Sequence, residues 1–334
     1  MTKVCIYGAG AIGGLIGARL AAAGSCDVRA IARGATLAAL RERGIVLRSG
    51  AETVRAPLPA TDDPRTLGPQ DLVILAVKGP ALPSVAQHIG PLLGADTMVL
   101  TAMNGVPWWF FAGRGGPCAD MRLESVDPGG IAGAAIPARH VIGCVVHASA
   151  SVPEPGVVVH TIGRGLIIGE PAGPRSTRLA RVAELLMRAG FDLTQSDNIH
   201  YDIWYKLWGN LTMNPIAALT GASGDRVIAD PLLREFCSAA MREAAAVGAR
   251  IGCAVTQAPD ERHAITRQLG AFRPSMLQDA EAGRPLEIDA IVGAVKEIGM
   301  RVGVATPNID ALLGLIRLFG RVRGLYPDAA PGNS

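Results

Sequence analysis

Lys3-Val4-Cys5-Ile6-Tyr7-Gly8-Ala9-Gly10-Ala11-Ile12-Gly13-Gly14 is the stretch that decides the fold of this 334-residue chain. Lys3 to Tyr7 reads as a short buried strand, and the alanine-rich run to about Ala23 reads as a helix. Between them lies G-x-G-x-x-G, in the strand–turn–helix setting that gives the motif meaning. The glycines permit a tight turn and let a pyrophosphate lie against backbone N–H groups, while the helix N-terminus adds partial positive charge. Gly8, Ala9, Gly10, Ala11, Ile12 and Gly13 are therefore expected to hold a dinucleotide.

Outward from the loop, a second strand over Val28–Ala32 ends at Arg33-Gly34. NAD-binding versions of this turn place an acidic residue about 20 positions beyond the glycines, on the ribose 2′-hydroxyl. Arg33 occupies that place, and a guanidinium suits the 2′-phosphate of NADP. Arg41, Arg43 and Lys3 are further cations, and a surface arginine at a strand end is the plain alternative for Arg33. A helix over Thr36–Arg43 and a hairpin through Ile45–Leu47 and Thr53–Val54 come next. The continuous apolar run Asp71–Val77, ending at Lys78, fits a parallel strand covered on both faces. The following strand, Thr97–Thr101, ends at Met103-Asn104-Gly105. Ligands of open α/β sheets bind beyond the carboxyl ends of strands, so Lys78 and Asn104 are expected at the cofactor's edge. Trp108-Trp109-Phe110-Phe111 cannot all be buried by one regular element, so these rings are expected to close over a ligand or fix a subunit contact. Strand-like runs at Val141–His147, Val157–Thr161, Leu166–Ile168 and Phe191–Thr194, with a helix near Arg175–Arg188, complete a mixed sheet. His147 and His160 are read as satisfied imidazoles in or beside it.

Beyond Ser196-Asp197 the strand signals stop. Helical spacing covers Tyr201–Pro215, Pro231–Ile251, Ala258–Leu269, Pro274–Glu281, Leu286–Val302 and Asn308–Phe319. The expected architecture is an α/β N-terminal Rossmann-type dinucleotide-binding domain over residues 1–196 and an all-α substrate and catalytic domain over residues 197–334. In the helix that opens the second half, Lys206, Asn210 and Asn214 are four apart and share one face. Tyr201, Trp204, Leu207, Trp208 and Leu211 fill the remaining arc as a packing side. Asparagine is a poor helix former, and Asn214-Pro215 marks a place for the helix to end or kink. Asp279 and Glu281 read as solvated charges, and Glu287 as a compensating charge at a helix start or a functional carboxylate.

The formal charge of +3 is small and the basic residues are scattered, so neither nucleic acid nor a membrane surface is an expected partner. No apolar run reaches the roughly 18 residues of a membrane span. The six cysteines form no C-x-x-C pair, and the histidines do not cluster with them. Neither a metal site nor a disulfide framework is expected, and a reducing cytoplasm fits. The oligomeric state stays open, a homodimer included.

Several motifs together resemble the ketopantoate reductases (2-dehydropantoate 2-reductases). They are Gly8-Ala9-Gly10-Ala11-Ile12-Gly13, Val77-Lys78, Asn104-Gly105, Tyr205-Lys206 through Asn210 to Asn214-Pro215, Ser275-Met276-Leu277-Gln278-Asp279, and Glu287-Ile288-Asp289. The resemblance implies reduction of a small α-keto acid with NADPH. It implies Lys206 as general acid, with Asn210, Asn214 and Ser275 holding substrate and Glu287 orienting Lys206 or a substrate hydroxyl. Lys78 and Asn104 would lie at the nicotinamide and substrate edge, with Arg33 on the 2′-phosphate. Hydride addition to a ketone builds negative charge on the carbonyl oxygen, which is where a lysine ammonium is useful. One departure is Phe272, three positions before Ser275, where the family pattern places an amide. Two alternatives remain: a β-hydroxyacid or 6-phosphogluconate-type dehydrogenase, which needs neither Asn214 nor the Ser275–Glu287 pair, and a dinucleotide-sensing protein without catalysis.

Overall fold

Alternating short apolar strands and helices build the first part of the chain, in a computed structural model that describes residues 1–115 and 118–328. The strands are β1 (Lys3–Tyr7), β2 (Asp27–Ile31), β3 (Ile45–Ser49), β4 (Glu52–Ala56), β5 (Ala60–Thr61), β6 (Gln70–Leu75), β7 (Leu93–Thr101), β8 (Val141–Glu154), β9 (Val157–Gly169) and β10 (Asp192–Gln195). The helices among them are α1 (Ala11–Ala23), α2 (Gly34–Arg43), α3 (Leu82–His88), α4 (Ile131–Ala135) and α5 (Thr177–Arg188). Helices alone follow: α6 (Ile199–Thr220), α7 (Gly224–Ala229), α8 (Pro231–Arg250), α9 (Pro259–Gln268), α10 (Ser275–Glu281), α11 (Ala294–Val302) and α12 (Pro307–Val322). The expected order of an α/β part and then an all-helical part is therefore what forms. Chain contacts define two units, Met1–Arg122 with Gly129–Asp202, and Leu123–Pro128 with Ile203–Ser334.

In the first unit the ten strands form one sheet in the order β4-β3-β9-β8-β7-β6-β1-β2-β5, with β10 also paired to β9. The β5-β2-β1-β6-β7-β8 run is parallel, and β8–β9 and β3–β4 are antiparallel. Strand alternation sends Val4 and Ile6 of β1 into a core shared with Leu15 and Ile16 of α1 and Leu72 and Ile74 of β6. Helix α5 docks through buried Leu179, Val182, Ala183 and Leu186, and its Ser176 cap accepts a hydrogen bond from Leu179 N at 3.1 Å. His160 is a satisfied imidazole, as expected: Nδ1 pairs with Ser49 Oγ at 2.9 Å and Nε2 with the Gly163 carbonyl.

Three expectations need correction. Trp108, Trp109, Phe110 and Phe111 are all buried within the chain itself rather than held out as an exposed cover. They sit on irregular turns, so successive rings leave the backbone in different directions. Trp108 Nε1 donates to the Ile136 carbonyl at 3.3 Å, Trp109 Nε1 donates to Thr101 Oγ1 at 3.2 Å, and Phe110 meets Phe111 edge to face at 5.0 Å. Secondly, α6 does not end at Pro215 but runs on through it to Thr220. A proline removes one N–H from the ladder, and here buried Ile216, Ala217 and Ala218 pack the next turn in place. Thirdly, the helix expected from Leu286 begins at Ile288 and passes through a π turn at Asp289–Gly293 before α11, leaving Glu287 just outside it.

Candidate active site: a glycine-lined cleft and a lysine–asparagine helix

In the first unit the turn from β1 to α1 is held by close backbone approach. Gly8 has φ +98°, and a Cβ there would lie 2.7 Å from Val77 and 3.0 Å from the Ala76 carbonyl oxygen. A Cβ on Gly13 would stand 2.0 Å from the Gly8 carbonyl oxygen, so the helix start and the turn leave no room for a side chain. At exposed Gly10 the reverse holds, with nothing within 4 Å of such an atom. Beside this bare backbone is a cleft of about 240 Å³ lined by Tyr7, Gly8, Gly10, Arg33, Thr36 and Ser84, among others that include Ala9. Ala11 and Ile12 start α1, where they are half-buried.

Arg33 reaches across the cleft to Ser84 Oγ at 3.3 Å. Arg41 and Arg43 are engaged elsewhere, with the Ala60 carbonyl at 3.2 Å and the Pro155 carbonyl at 2.7 Å. The Tyr7 side chain is 4% exposed, and its hydroxyl has no hydrogen-bond partner among the described residues. Burial pushes its pKa up, an effect partly offset by the Arg33 charge. Bare glycine backbone, a helix N-terminus, an arginine and an unmet hydroxyl around one cleft fit a dinucleotide. Sequence reasoning missed Tyr7, Thr36 and Ser84. The available signal was strand alternation, which puts Cys5 and Tyr7 opposite the Val4–Ile6 core face. Half-buried Lys78 and Asn104 each stand three residues past Leu75 and Thr101, paired ends of the parallel strands β6 and β7.

In the second unit Lys206, Asn210 and Asn214 lie on the one helix α6, whose four-residue spacing brings all three to one face. Lys206 and Asn210 are half-buried. Asn214 is 4% exposed, and its Nδ2 has no hydrogen-bond partner among the described residues. Trp204, Leu207, Trp208 and Leu211 are buried as the packing side, with Trp208 Nε1 donating to the Met241 carbonyl at 2.7 Å. Exposed Ser275 is the first residue of α10, and half-buried Glu287 precedes the π turn. Asp279 is not solvated: it is buried and its carboxylate accepts from Arg284 Nε at 2.9 Å. Phe272 packs with Met213, Ile216, Val227 and Ile228, and its ring occupies the space over Gly224, where a Cβ would come within 2.1 Å.

With this geometry in hand, comparison with known sequences is decisive. The sequence pattern described as Ketopantoate reductase PanE/ApbA matches residues 4–108, and that of its C-terminal region matches residues 198–319. The chain belongs to the ketopantoate reductase family. A family relative from Mesorhizobium japonicum, named 2-dehydropantoate 2-reductase, is 44% identical over 97% of this chain and 99% of its own length. The crystal structure of a candidate ketopantoate reductase from Ralstonia solanacearum is 56% identical, covering 98% of this chain and 100% of that one with a TM-score of 0.94. The ternary structure of a D-mandelate dehydrogenase with NADH and anilino(oxo)acetate shares 25% identity at a TM-score of 0.83, over 97% of this chain and 100% of that one. As a member of this family the chain is an NAD(P)-dependent oxidoreductase.

Proposed function

We propose that this protein reduces 2-dehydropantoate (ketopantoate) to pantoate with NADPH. The observation that carries the reading is the α6 row, where Lys206, Asn210 and a buried, unmet Asn214 amide share one face. Bound reduced dinucleotide supplies the hydride. Lys206 donates a proton to the carbonyl oxygen as negative charge develops there. Asn210, Asn214 and Ser275 hold the keto acid by neutral hydrogen bonds that fix the ketone's orientation. Glu287 orients the Lys206 ammonium or accepts the substrate hydroxyl. Lys78 and Asn104 border the nicotinamide end, the glycine loop Gly8–Gly13 takes the pyrophosphate, and Arg33 takes the 2′-phosphate. Residues 1–196 thus serve as the NADP-binding domain and residues 197–334 as the substrate domain. Six buried free cysteines suit work in a reducing cytoplasm.

A second reading, an aryl α-keto acid as substrate, has the likeness to the mandelate dehydrogenase behind it. The two separate in one assay: NADPH oxidation with ketopantoate, 3-methyl-2-oxobutanoate and an arylglyoxylate. Ketopantoate is expected to show the highest kcat/KM. Efficient reduction of another ketone with ketopantoate ignored would overturn the substrate assignment.

A further inference from the structure

Tyr7 carries a group that its place in the sheet does not need. Its ring leaves the end of β1 on the face opposite Val4 and Ile6 and is buried beside the first glycine of the loop. A phenylalanine would fill the same volume. The tyrosine hydroxyl instead lies buried in the wall of the cleft that Tyr7 lines, beside the Arg33 charge and without a hydrogen-bond partner among the described residues, which is costly for a buried polar group. Around it are the Arg33 guanidinium, Ser84, whose hydroxyl accepts from Arg33, and Thr36. A cation and several hydroxyls facing one space suit an anion rich in acceptor oxygens.

We propose that the Tyr7 hydroxyl reads the 2′-phosphate of NADP, donating a hydrogen bond to a phosphate oxygen held also by Arg33, and so helps to set the choice of NADP over NAD. The inference rests on the NADPH reading above and adds a second residue to it. Arg33 supplies charge and reach from the exposed rim, whereas Tyr7 supplies a donor from the buried wall. Such a hydroxyl gains nothing from a ribose that ends in a 2′-hydroxyl at a distance set for phosphate.

The test is calorimetric titration of the intact protein and of Tyr7→Phe with 2′,5′-ADP and with 5′-AMP. The wild type should prefer 2′,5′-ADP. Tyr7→Phe should lose affinity for 2′,5′-ADP by about tenfold, the usual scale for one hydrogen bond to a charged group. Its affinity for 5′-AMP and its Tm should stay close to wild type. A second measurement needs no variant: the Tyr7 Cζ resonance of labelled wild type should shift with 2′,5′-ADP and not with 5′-AMP. Equal losses for both ligands, no loss for either, or the same shift with both would overturn the role of Tyr7 while leaving the NADP preference standing. A wild type that binds both ligands alike would overturn the NADPH reading and this inference with it.

Discussion

Arg33 sits at the rim of the cleft with Ser84 as its hydrogen-bond partner and no ion pair among the described residues, a state suited to an incoming phosphate. Arg33→Asp restores the carboxylate of NAD-type sites and repels a 2′-phosphate. The ratio of NADPH to NADH efficiency should fall by at least about tenfold, measured as kcat/KM for each cofactor, and an unchanged ratio would remove Arg33 from cofactor choice. His200 shows a different use of a single residue. It lies against Trp109 and Phe110, its Nε2 donates to the Pro171 carbonyl at 2.7 Å, and burial pulls its pKa down to about 4. Between the unfolded value of about 6.5 and that value the unfolded chain binds more protons than the native one. Stability therefore falls as pH drops through that window, by up to about 3 kcal/mol from this group, and levels off below it. Replacing His200 with Gln should flatten the pH dependence, so the Tm difference between wild type and variant should change from pH 7 to pH 4. A pH-independent difference would contradict the buried neutral imidazole.

The β1–α1 turn makes a prediction that belongs to the element. A Cβ on Gly13 meets the Gly8 carbonyl at 2.0 Å, so Gly13→Ala must move backbone and should lower both Tm and dinucleotide affinity. Gly10 has φ −79° and open space beyond it, so Gly10→Ala should keep its Tm and weaken dinucleotide binding alone. Calorimetry and a binding titration read the two effects, and loss of Tm in Gly10→Ala would contradict the open space beyond Gly10. This element was legible because strand, turn and helix follow from neighbouring residues. The extent of α6 was not, because local chemistry at Asn214-Pro215 argues for an end, while burial of Ile216, Ala217 and Ala218 carries the helix further. Four successive buried rings were unreadable for a related reason. Reading Trp108–Phe111 as strand or helix forbids burying them all, and only the irregular turns permit it. Phe272 could be noticed as a departure from the family pattern, yet its packing over Gly224 depends on a contact between residues 48 positions apart.

At the scale of the whole molecule, the predicted groups divide between the two units. Gly8–Gly13, Arg33, Lys78 and Asn104 belong to the first, and Lys206, Asn210, Asn214, Ser275 and Glu287 to the second. The parallel run around β1 follows from the strand–helix alternation in the sequence, whereas the placement of β9 between β3 and β8, with β10 also on it, rests on long-range pairing that no local pattern encodes. Most helices of the second unit were readable from spacing, but not the six-residue α7, too short to show a period, nor the full extent of α6 or the π turn before α11. The central claim is that the second unit contributes a proton donor to a reaction whose hydride comes from NADPH. It is tested most directly by kcat for ketopantoate reduction in wild type and Lys206→Ala, with NADPH affinity measured alongside. The account predicts a fall in kcat of at least about a hundredfold, the usual scale for a lost general acid, with NADPH bound as in wild type. A variant whose kcat stays within about threefold of wild type, well under 1 kcal/mol of barrier, would contradict it.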